Sequence, residues 1–116
     1  MVHLTLTVSD QLAERLQPLG AWLPIVLELT LVGCKTVAAA TATEVIEFLS
    51  HDPTPADVLT YHASERSQTR LQRLLALNAA GQLGEAEQQE LDELQQIEHI
   101  VVLLKAQLAS PPPQEP

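Results

Sequence analysis

From residue 3 to residue 8, polar and apolar side chains alternate strictly. Leu4, Leu6 and Val8 fall on one side; His3, Thr5 and Thr7 fall on the other. A period of two is the mark of a strand with one buried face, so the pattern predicts a short N-terminal β-strand. No later stretch alternates in this way. A lone strand leaves unpaired backbone groups on both edges. An identical strand from a second copy would satisfy them, which predicts a homodimer joined through this segment.

The rest of the chain follows a helical period. Ser9 is placed as an N-cap, with Asp10 in the first turn and Leu12, Leu16 and Leu19 on one face. Pro18 and Gly20 end that short helix. A second helix starts at Pro24 and runs toward Gly33. It is apolar nearly all round, broken by Glu28 and Thr30, and such a helix must be buried on several sides. Residues 35–42 form a small-residue connector, either a linker or a continuation of the helix. Thr41 followed by Glu44 fits a capping box for a short helix over residues 42–50, burying Val45, Ile46 and Leu49. Thr54 and Pro55 open another short helix to about His62. Ser64 caps a longer one through about Asn78, with Leu71, Leu74, Leu75 and Leu77 toward the core. Gly81 suits the left-handed stop. The longest helix runs from about Gly84 to Ala109, with Leu91, Leu94, Ile97, Val101, Leu104 and Leu108 at three- and four-residue spacing. The last two helices make an αα-hairpin. Residues 110–116, with four prolines, read as a disordered tail.

Composition narrows the classes. The chain has 116 residues, 46% of them hydrophobic, enough for one domain with an aliphatic core. Trp22, Phe48 and Tyr61 are its only aromatic residues. One cysteine, Cys34, excludes an intrachain disulfide and a four-cysteine zinc site. Residues 19–33 are the most apolar stretch; they contain Glu28 and fall short of the roughly 20 residues that span a bilayer. The first eight residues lack the basic start and apolar run of a signal peptide. No membrane association and a cytoplasmic location are expected. The net charge is −9, unfavourable for coating nucleic acid. Residues 1–35 carry only −1 of it and residues 36–116 carry −8, so DNA contact, if any, belongs to the first part.

Candidate chemistry is sparse. His3, His51, His62 and His99 include no pair at the i, i+4 spacing of a helical metal site. Cys34 has no Cys/His motif around it, and Ser64 and Ser67 near His62 are explained by capping. No phosphate loop, nucleophile elbow or paired-carboxylate signature occurs. No catalytic residue, metal ligand or cofactor is expected, and the chain reads as a non-enzyme. Arg66, Arg70 and Arg73 make a basic stripe on one helix, holding half of the basic residues. Glu85, Glu87, Glu90, Asp92, Glu93 and Glu98 make the next helix acidic. The arginines either pair with that helix or bind a partner. The seam through Leu94, Val101 and Leu108 either packs within the hairpin or fills a groove on another protein.

The segment Leu4-Thr5-Leu6-Thr7-Val8, then Ser9-Asp10-Gln11-Leu12-Ala13-Glu14-Arg15-Leu16, a turn at Gly20 and an apolar helix over residues 23–32 resembles the ribbon-helix-helix family. The resemblance implies a dimer through paired strands whose outward residues, by position His3, Thr5 and Thr7, enter the DNA major groove, with Arg15 near phosphate. It also implies an antitoxin or repressor whose C-terminal part wraps a basic toxin. The whole chain, through residues 64–99, is similar to small bacterial proteins, of cyanobacterial type, that join an N-terminal strand to an acidic hairpin; that likeness implies no activity. Departures from the family are visible. The outward strand face has no Arg, Lys, Asn or Gln, and Trp22-Leu23-Pro24 offers no phosphate-binding side chain at the second helix. The expected architecture is mainly α with one short ribbon-helix-helix-like N-terminal strand and a C-terminal hairpin. It divides into a dimerisation unit (1–35), a connector (36–63), an acidic hairpin (64–109) and a tail (110–116). Two functions follow as expectations: an antitoxin-like DNA-binding regulator that also binds a protein, and a non-enzymatic interaction or assembly protein without DNA binding.

Overall fold

Ser9 opens the first helix of the computed structural model, which describes residues 2–109. Its hydroxyl accepts from the Leu12 amide at 3.2 Å, and α1 (Asp10–Leu16) follows. Pro18 sits at the start of a 3-10 segment, Gln17–Trp22, inside which Gly20 turns the chain with φ 43°. Next come α2 (Leu23–Leu31), with Pro24 in its first turn, and α3 (Ala39–Leu49). A capping box between Thr54 and Asp57 starts α4 (Pro55–Leu59). Ser64 caps α5 (Glu65–Ala79) through the Ser67 amide. Gly81, at φ 69°, reverses the chain into α6 (Glu85–Ala109).

The long α6 is the axis of the fold, with α2, α3, α4 and α5 all packed against it. Leu29, Leu49, Leu74, Leu91 and Ile97, drawn from α2, α3, α5 and α6, are the largest fully buried side chains. The core is aliphatic, as the shortage of aromatic residues requires. Trp22 closes one side, its indole N–H donating to the Pro53 carbonyl at 3.2 Å. Phe48 and Tyr61 form a tilted aromatic pair, with ring centroids 4.5 Å apart and planes at 35°.

Two expectations are corrected. Residues 2–9 form no strand: among the described residues there is no β-ladder, and the architecture is helical throughout. Alternation fixes which side each residue faces, whereas a strand also needs a second strand to pair with, and the other elements among the described residues are all helices. The capping box of Thr41 and Glu44 is absent as well. α3 already begins at Ala39, so Thr41 lies inside it and donates to the Ser67 hydroxyl at 3.1 Å. The hairpin, the Gly81 reversal and the caps at Ser9, Thr54 and Ser64 stand where the pattern put them. The proline-rich tail expected at 110–116 lies outside the described residues.

Candidate protein-interaction surface

Three polar clamps hold α6 and α5 in place, and the surface between them follows from that. Glu93 is 6% exposed and accepts four hydrogen bonds. They come from the Lys35 amide at 3.0 Å, the Thr36 amide at 3.2 Å, the Thr36 hydroxyl at 2.6 Å and the Gln89 side chain at 3.3 Å. Burial raises its pKa, but the Thr36 hydroxyl, the two amides and Gln89 outweigh it and hold the carboxyl below its ordinary value. Glu93 thus ties the loop after α2 to the middle of α6. Glu44, on α3, does the same for the start of α5. It accepts from the Ser64 amide and hydroxyl, both at 3.1 Å, and from the Ser67 hydroxyl at 2.7 Å. Burial pushes its pKa up, and these serine bonds together with the charge of Arg66 bring it below the ordinary value.

The third clamp is within the hairpin. Arg70 meets Glu90 through two parallel N–H bonds of 2.8 Å, from Nε and from one terminal nitrogen. Glu90 is 4% exposed. Among the described residues this is the single ion pair. Arg70 is therefore engaged within the chain, while Arg66 and Arg73 stay exposed beside it, along a shallow depression between α3 and α5. Of the seam residues, Leu94 is buried and Val101 and Leu108 are half-buried against the core.

Between α5 and α6 lies an open groove of about 420 Å³. Its apolar lining includes Val45, Tyr61, Leu71, Leu94, Ile97 and Val101. Val102, 53% exposed, stands at the groove as well. Lys105 reaches across it, its ammonium donating to the Tyr61 carbonyl. The Tyr61 hydroxyl has a raised pKa, through burial first and the nearby Glu44 charge second.

The N-terminal residues 2–8 form an exposed arm. No hydrogen bond joins residues 2–8 to any other described residue. Val2 is 84% exposed, Leu4 85% and Leu6 68%. His3, Thr5 and Thr7 are exposed on the same arm, and Arg15 is exposed in the last turn of α1. The four residues expected to read DNA are thus all open to solvent, and no hydrogen bond fixes His3, Thr5 and Thr7 to the rest of the described residues. α1 itself has no buried residue, and its main neighbour is the 3-10 segment that follows. The radius of gyration, 16.5 Å, exceeds the roughly 13 Å of a compact domain this long. The protruding arm and α1 fit that excess.

Sequence reasoning missed Glu44 and Glu93 as organising residues. For Glu93 a signal existed. Positions 90, 93, 94, 97, 101 and 104 share one helical face, so the seam itself turns Glu90 and Glu93 inward. Nothing local could have assigned Glu44 to the cap of α5. Cys34 is half-buried, and its thiol pKa is raised by burial and by the Glu93 charge, the reverse of an activated nucleophile. Among the described residues no group of three His, Cys, Asp or Glu converges for a metal ion, and no helix is long and apolar enough to cross a membrane. No protein-family model, no curated protein and no solved structure matches the chain.

Proposed function

We propose that this chain is a non-enzymatic interaction and assembly protein that self-associates through its N-terminal arm. The observation that carries the reading is the arm: Val2, Leu4 and Leu6 stand open to water, and Val8 and Leu12 are more than a third exposed. Several exposed apolar side chains gathered on one short segment suit a contact site. The arm also carries no Asp, Glu, Lys or Arg up to Ser9, so two copies of a chain with net charge −9 meet there without repulsion. The antitoxin-like reading required a paired strand to hold His3, Thr5 and Thr7 in register for base contacts, and that support is gone. Sedimentation velocity on the full chain tests the proposal. A dimer or larger species is expected, and the double variant Leu4→Asp/Leu6→Asp should be monomeric with unchanged helicity. A monomeric wild-type chain at high micromolar concentration refutes the reading.

A second reading concerns α6. Arg70 is spent on Glu90, and Glu85, Asp92 and Glu98 remain exposed without a cation. This acidic face suits a basic protein partner, bound in a salt-dependent way. Capture of basic proteins that is insensitive to salt would speak against it.

A further inference from the structure

We infer that the arm of one copy seats in the α5–α6 groove of a second copy, so that two chains exchange arms. This deepens the self-association reading and rests on it. The groove and the arm match in charge. The groove carries one acidic and one basic residue, Glu98 and Lys105, and so adds no net charge; the arm up to Ser9 carries no Asp, Glu, Lys or Arg. On a molecule that is otherwise strongly acidic, this pairing brings two copies together without setting carboxylate against carboxylate.

They match in length. From Leu94 to Lys105 the groove follows α6 for about 16 Å at the helical rise. From Leu4 to Val8 an extended chain spans about 13 Å. Leu4, Leu6 and Val8 project to one side of such a chain, which presents three apolar groups in a row to an apolar floor. A volume of about 420 Å³ lies within the range that seats several apolar groups. The arm leaves its own groove empty, since no hydrogen bond holds residues 2–8 and Val2, Leu4 and Leu6 remain exposed. The receptor therefore belongs to another molecule. Exchange is reciprocal and closes the assembly at two copies, each contributing one arm and one groove. An arm paired with another arm would bury the same residues but leave the groove open.

The test is complementation between two full-length variants. Leu4→Asp/Leu6→Asp spoils the arm and keeps the groove. Val102→Glu keeps the arm and puts a carboxylate into the groove, at a position exposed enough to spare the core. Each variant alone should associate more weakly than wild type by about tenfold or more, the penalty of an unpaired carboxylate in an apolar contact. An equimolar mixture should recover a heterodimer, because one sound arm then faces one sound groove. A photo-crosslinker in place of Leu6 should label residues 94–105 of the other copy. If Val102→Glu alone dimerises like wild type, or the crosslinks fall on another arm, the groove is not the receptor and self-association stands. If wild type does not associate at all, both proposals fall.

Discussion

Replacing Glu93 with alanine is the sharpest probe of how this fold is held. The carboxylate is 6% exposed and accepts from two main-chain amides and a hydroxyl of residues 35 and 36. Truncation removes the acceptor for all three. A hydrogen bond to a charged group contributes about 1.5–3 kcal/mol. The loop is half open to water, so part of each loss is recovered by solvation, and a total near 3 kcal/mol is expected. For a domain of this size that lowers Tm by roughly 10 °C. Urea unfolding followed by the fluorescence of Trp22, the one tryptophan, measures it. Glu93→Gln keeps one carbonyl acceptor and should retain about half of the stability. The exposed control Asp92→Ala should stay within about 0.5 kcal/mol of wild type. The pH dependence is a second readout. The folded pKa of Glu93 lies below its unfolded value, so the folded state binds fewer protons. Its contribution is complete above the unfolded value and is lost as pH falls through the folded one. The gap between wild type and Glu93→Ala should therefore close in acid. A Glu93→Ala protein within 1 kcal/mol of wild type at neutral pH, or a gap that widens in acid, would refute the clamp.

Two further outcomes follow from the other clamps. Arg70→Ala leaves the shielded Glu90 carboxylate without its partner and should cost about 2–3 kcal/mol; in a double-mutant cycle with Glu90→Ala the coupling should exceed about 1 kcal/mol, well above an exposed pair. A coupling near zero would mean the bidentate geometry stabilises nothing. Glu44→Ala removes a cap that α3 lends to α5 and should cost about 1–2 kcal/mol, with hydrogen exchange speeding first at residues 64–67. Its folded pKa is also lowered, so this loss too should shrink as pH falls.

The helices were legible because their signals are local. Caps at Ser9, Thr54 and Ser64, the proline at α4 and the reversal at Gly81 each act within four residues of themselves. The periodic leucines then fixed the inward side of α6; on α5 Leu74 is buried, whereas Leu75, expected toward the core, is 41% exposed. The arm was misread because alternation is also local, while strand formation is not. Residues 4–8 alternate as a strand would, yet pairing depends on what lies across from them, and among the described residues no strand does. The start of α3 failed for a related reason. Thr41 and Glu44 have cap-forming side chains, but Ala39 and Ala40 extend the helix backward, and the side chains then serve α5 instead.

The acidic helix shows why counting charges on a sequence does not place them in the fold. Six carboxylates in α6 suggested a face matched to the Arg66, Arg70 and Arg73 stripe, but one arginine suffices inside the hairpin. The period of α6 turns Glu90 and Glu93 onto its buried side. There one needs a cation and the other needs amide donors, and the chain supplies each from a different element. A buried carboxylate without such donors would be costly, so α6 accepts no other register against α5 and the loop before α3. That register, in turn, leaves Val101 half-buried and Val102 exposed at the groove. The internal clamps thus decide which apolar residues remain on the surface.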